Sequence, residues 1–88
     1  MRDGIRIDGA YPERVRDVLE KRQIPLAWVE RSLSTPEATE ADTIDPDLEH
    51  GLARIQEKGD RVLRVIVNRS STPMRVVTAF FDRRRSFP

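Results

Sequence analysis

Arg54, Arg64 and His50 are the residues of this chain whose types and spacing best suit chemistry. Guanidinium groups hold a phosphodiester through paired hydrogen bonds and stabilise the charge that grows when a ribose 2′-hydroxyl attacks the adjacent phosphorus. An imidazole exchanges protons near neutrality, which makes His50 the candidate general acid or base. That reaction needs no metal, and the composition provides for none: there is no Cys for a thiolate zinc site or a thiol nucleophile, and one His cannot form a His cluster. The same residues also have a plainer reading. A lone His in the acidic run DPDLEHG is often a solvated or salt-bridged strand residue, and arginines on an open sheet face often only solvate it.

More cations stand ready for a polyanion. Lys21, Arg22, Arg75, Arg83 and Arg84 are candidate RNA contacts, although Arg83-Arg84-Arg85 also reads as a solvated tail. Fourteen of the 16 basic residues are Arg, the side chain that grips phosphate or carboxylate with two parallel bonds; an Arg-rich coding bias would give the same count. Position along the chain is more telling. Residues 1–50 carry 7 basic and 12 acidic groups, a balance of −5, whereas residues 51–88 carry 9 basic and 3 acidic, a balance of +6.

These groups must be positioned by one small domain, 1–88, since 88 residues leave little room for a second. Hydrophobic residues at 38% suffice for one thin core, and no apolar run approaches the ~18 residues of a membrane span. The opening MRDGIRIDGA places charges inside any apolar stretch, so no secretion signal is expected and the expected location is the cytoplasm. A domain of this size buries only about 60% of its unfolded surface, so a homodimer or a bound partner is a reasonable source of further stability.

Periodicity predicts helices in the part spanning 11–33. In PERVRDVLEKRQ, opened by Pro12, the residues Val15, Val18, Leu19 and Arg22 recur at helical spacing. PLAWVERSL, opened by Pro25, places Leu26, Val29 and Leu33 on one side. Residues 34–47, with two prolines and five acidic groups, predict a long acidic loop. It is either a solvated connector or a segment lying near the basic sheet and competing with polyanions.

Residues 48–84 predict a β-meander, with strands at 48–55, 61–68 and 74–82, a hairpin turn at Lys58-Gly59-Asp60 and a tail at 85–88. Ile5-Arg6-Ile7 is a candidate fourth strand. The expected architecture is α+β, with two N-terminal helices packed on one face of a three- to four-stranded antiparallel sheet. Leu63, Val65 and Val67 should meet the helices, leaving Val62, Arg64, Ile66 and Asn68 on the open face. His50, Leu52 and Arg54 share a face of their own strand, and either Thr78 and Phe80 or Arg75 and Ala79 join the open face according to register. Phe80 and Phe81 must face opposite ways, one into the core and one available to stack on a base or dock a partner. Trp28 is read as core packing or an interface anchor.

Several of these segments carry a resemblance. The Lys21-Arg22-Gln23-Ile24 helix end, Thr35-Pro36, the Ala53-Arg54 pair before Gly59, the strand from Arg61 to Val65 and the strand from Arg75 to Ala79 resemble the BrnT and RelE/ParE toxin superfamily. The chain is most similar to small bacterial relatives known only as a conserved domain of unknown function. The likeness spans roughly residues 11–84, and Arg54 is its most specific match. It implies a helix–helix–sheet ribonuclease toxin without cofactor or metal, paired with a small antitoxin-like protein encoded nearby that covers the basic face. The chain departs from BrnT-like sequences at two places: Lys21-Arg22-Gln23 replaces a Lys-His-Gly, and Thr78-Ala79-Phe80 replaces a Ser-Ala-Arg.

Three functional expectations follow. The first is a metal-independent endoribonuclease toxin in which Arg54 and Arg64 hold the phosphate, Lys21 or Arg22 adds charge and His50 transfers a proton, acting on RNA alone or at the ribosome. The second is a non-catalytic member of the same fold that binds a protein. The third is a nucleic-acid-binding module whose affinity falls steeply with salt.

Overall fold

The computed structural model describes residues 10–87. Helix α1 spans Glu13–Lys21 and helix α2 spans Leu26–Ser34. Four strands follow, β1 (Ala38–Ala41), β2 (Leu48–Ile55), β3 (Arg61–Asn68) and β4 (Arg75–Phe81), paired antiparallel in the order β1-β2-β3-β4. The chain is thus the expected α+β arrangement of two helices before an antiparallel meander.

Each helix begins after a proline whose ring presets the entry angle. Glu13 in the first turn of α1 and Lys21 in its last complement the helix dipole. The periodicity carries the helix through Gln23, but it ends at Lys21. Gln23 adopts a left-handed φ of 57° and the Ile24 N–H bonds back to the Leu19 carbonyl at 2.9 Å, a Schellman closure made without glycine. The closure drops Ile24 into the core, where it is buried beside Val15, Leu19 and Val29.

The helices cover one face of the sheet. Ile55, Leu63, Val65, Val67, Val76 and Ala79 point into that layer, and Phe81 packs edge-on against Trp28 with ring centroids 6.2 Å apart. Gly51 lets α2 approach β2 closely: a Cβ there would lie 2.5 Å from the Ser32 carbonyl oxygen. Tyr11, buried ahead of α1, donates its hydroxyl proton to Glu30 Oε2 at 2.6 Å and ties the two helices together.

The composition of residues 34–47 predicts a loop throughout, but part of the segment is a strand. Ala38–Ala41 pairs residue by residue with Leu52–Glu49 as the edge strand β1. Ala and Glu are poor strand formers, so tertiary pairing overrides propensity here. Backbone bonds from Glu37 N to the Leu52 carbonyl (2.8 Å) and from Asp42 N to the Leu48 carbonyl (3.3 Å) close its two ends. This strand supplies the fourth position of the sheet, and the candidate strand at residues 5–7 lies outside the described residues.

Between β2 and β3 a short 3₁₀ turn, Gln56–Lys58, leads into Gly59 and Asp60, both left-handed, at the predicted hairpin. Between β3 and β4 the register shifts at Ile66/Val67: Thr78 faces Ile66 and Val76 faces Val67, so Val77 is an extra, bulged residue. The bulge settles the alternative left open by the strand pattern. Thr78 and Phe80 share the face away from the helices, and Ala79 joins the core.

Candidate functional site

The strand registers place His50, Leu52 and Arg54 of β2 beside Ile66, Arg64 and Val62 of β3, all on the face opposite the helices. Glu40 of β1 lies directly across from His50, and Phe80 of β4 across from Arg64. After β4 the chain turns beneath this face. Asp82 N bonds the Val62 carbonyl at 2.9 Å, and the Arg85 guanidinium contacts Glu40 on the far edge strand.

At the centre, Arg64 Nη1 donates to His50 Nδ1 at 2.7 Å and to Glu40 Oε1 at 3.0 Å. Its Nε donates to Asp82 Oδ2 at 2.9 Å, and its Nη2 lies 2.7 Å from the same oxygen. A guanidinium only donates, so His50 Nδ1 must be the bare, accepting nitrogen. His50 is therefore protonated at Nε2, which donates to Asp42 Oδ1 at 2.7 Å. The result is a continuous line of Asp42, His50, Arg64 and Asp82, with the His50 and Arg64 side chains only 13% and 12% exposed.

Electrostatics follow this geometry. The backbone N–H of Asp45, then the His50 ring and the backbone N–H of Ile44, hold the Asp42 carboxyl down to about 2. Asp82 is lowered as well, first by the Arg84 backbone N–H and then by the Arg64 guanidinium. Among the described residues every buried side-chain nitrogen and oxygen has a partner.

Two of the three candidate catalytic residues thus meet directly. Arg54 lies on the same face four residues along β2 from His50, with its Nε 3.5 Å from Glu37 Oε1, in a cleft of about 450 Å³ lined also by Arg31, Gln56 and Asp60. The candidate RNA contacts are arranged differently. Arg75 begins β4, and Arg83 and Arg84 follow it. Arg22 sits at its middle, donating to the Ala79 carbonyl at 2.8 Å and caging an outward-facing carbonyl of this edge strand, with Lys21 adjacent at the end of α1. β4 itself, 7 residues at ~3.3 Å each, is about 23 Å long, and Arg83 and Arg84 lie past its end, in the turn that carries the chain beneath the sheet. None of the five forms an ion pair with a carboxylate among the described residues, and all five are exposed.

Residue types alone did not single out Glu40, Asp42, Asp82 and Arg85. The signal available was the charge complement of the segments: Glu37, Glu40, Asp42 and Glu49 take Arg54, Arg64 with Arg85, His50 and Arg69, respectively. The acidic segment does lie against the basic sheet. Among the described residues no group of three or more His, Asp or Glu is placed to hold a metal, and no helix is long and apolar enough to cross a membrane.

A family model described as a domain of unknown function, DUF4258, matches residues 13–81. No curated protein and no solved structure matches the chain. The matched span begins with the first residue of α1 and ends with the last of β4, so it takes in both helices and the whole sheet.

Proposed function

The chain belongs to the DUF4258 family, and on that premise we propose that it is a non-catalytic nucleic-acid-binding module of the toxin-like helix–helix–sheet type, with RNA phosphates as its ligand. The exposed cations around the edge strand β4 carry this reading: Lys21 and Arg22 at the end of α1, Arg75 at the start of β4, and Arg83 and Arg84 in the turn after it, none of them ion-paired with a carboxylate among the described residues. An apolar partner surface has less support, because the exposed large hydrophobics among the described residues are Ile44 and Val77, which lie in separate segments. Under the resemblance to BrnT and RelE/ParE toxins, the cognate partner is a small, acidic antitoxin-like protein that covers this edge.

The expected behaviour is affinity for single-stranded RNA that falls with salt. Five neutralised phosphates correspond to a slope of about −3.5 in log K against log salt, and replacing Arg83 and Arg84 together with Gln should flatten that slope by about 1.4. Fluorescence anisotropy across a salt series measures both quantities. Absence of RNA binding at low salt would sink the proposal.

One observation favours the endoribonuclease reading. The Asp42–His50 contact turns the candidate base, Nδ1, towards Arg64 at the centre of the face opposite the helices, as a proton-transfer group requires. Arg64 occupies that nitrogen, so turnover would require its guanidinium to move. Induction of the chain in a bacterial culture separates the readings. Growth arrest with RNA cleavage, relieved by Arg54→Ala and His50→Ala at matched expression, would establish the ribonuclease; RNA binding without cleavage is the result expected here.

A further inference from the structure

Glu40 occupies an unusual place for a surface carboxylate. Its Oε1 accepts from Arg64 Nη1 and its Oε2 contacts Arg85 Nη1, so one anionic group bridges two guanidiniums from β3 and from the segment after β4. Asp82 meanwhile holds Arg64 through Nε and Nη2. The fork is therefore fixed in place on one side by Asp82, and Nη1, which spends one N–H on His50 Nδ1, presents its other N–H to whatever anion fills the gap. Glu40 reaches that gap from β1, a four-residue edge strand paired only with β2.

We propose that Arg64 and Arg85 form a phosphate seat held closed by the chain's own Glu40, so that a phosphate-bearing ligand enters by displacing this carboxylate. Two oxygens of a phosphate reproduce the two acceptor positions that the carboxylate supplies. The displaced Glu40 carboxylate moves into solvent, and the Asp82 clamp keeps Arg64 in register for the incoming group. This inference takes from the proposed function only that the ligand carries phosphate. It adds a second contact, on the open face, to the exposed cations around β4, together with a competitor that sets its strength.

Glu40→Gln tests the seat, because the amide keeps an acceptor oxygen for one arginine while removing the competing charge. At fixed ionic strength this variant should bind a short oligoribonucleotide about tenfold more tightly than the parent, the scale of one charge-assisted hydrogen bond. Glu49→Gln removes the same charge beside Arg69 and should change affinity by less than about twofold, as a surface pair does. Adding Arg85→Gln to Glu40→Gln should erase the gain. Equal gains from the two glutamate variants, or a gain that survives Arg85→Gln, would overturn the seat.

A second measurement needs no variant. Inorganic phosphate titrated into the parent protein should shift the Glu40 carboxyl carbon in NMR spectra while leaving that of Glu49 in place. Oligoribonucleotide binding with Glu40 unmoved would remove the seat and leave the nucleic-acid reading standing. Displacement of Glu40 by phosphate without any oligoribonucleotide affinity would do the reverse.

Discussion

Both ring nitrogens of His50 are committed within the protein, and each commitment has a measurable consequence. Asp42 is held near 2, against an ordinary value of 3.8. A depressed carboxyl stabilises the fold fully above its unfolded value and loses that contribution as pH falls through its folded value. Asp42→Asn should therefore give a flatter stability profile than the parent between about pH 4 and pH 2, followed by circular dichroism. Parallel acid limbs would show that the carboxyl is not held in this way. Arg64→Gln should destabilise by ~2–3 kcal/mol in urea unfolding, because Asp82, 7% exposed at its side chain, loses the guanidinium that neutralises it. At this scale His50 and Arg64 were legible from strand alternation. Asp42 and Glu40 were not, because their roles depend on β1 pairing with β2, and the composition of residues 38–41 argues against a strand.

Among the elements, the contact between α2 and β2 is the least forgiving. Gly51→Ala would force a Cβ against the Ser32 carbonyl oxygen, which belongs to a helical backbone and cannot swing aside. A loss of ~2 kcal/mol in denaturant midpoint analysis is expected, the scale of overpacking in a close-packed layer. Unchanged stability would mean that α2 shifts freely on the sheet. The helices and the strands β2, β3 and β4 were readable from periods of 3.6 and 2. The end of α1 was not, because a Schellman closure is usually announced by glycine and here uses Gln23. The choice between Thr78 with Phe80 and Arg75 with Ala79 on the open face stayed open in the sequence, since a bulge at Val77 resets alternation without any proline or glycine to mark it and leaves Arg75 on the same face as Thr78 and Phe80.

Across the whole molecule, the −5 and +6 halves seen in sequence become a partial internal neutralisation, with the acidic segment laid against the sheet and Lys21, Arg22, Arg75, Arg83 and Arg84 left around β4 without a carboxylate among the described residues. The Glu40–Arg85 contact joins residues 45 apart and links the first strand of the sheet to the chain beyond the last. Such a clasp can close only after the meander has assembled, because its loop-closure entropy is large and its reward is local. It therefore belongs to the late side of the folding barrier. Arg85→Gln should speed unfolding and leave the refolding limb of the chevron unchanged, as expected for a contact absent from the transition state. The clasp thus acts as a latch on lifetime, setting how long the native state persists and leaving the time needed to reach it unaltered.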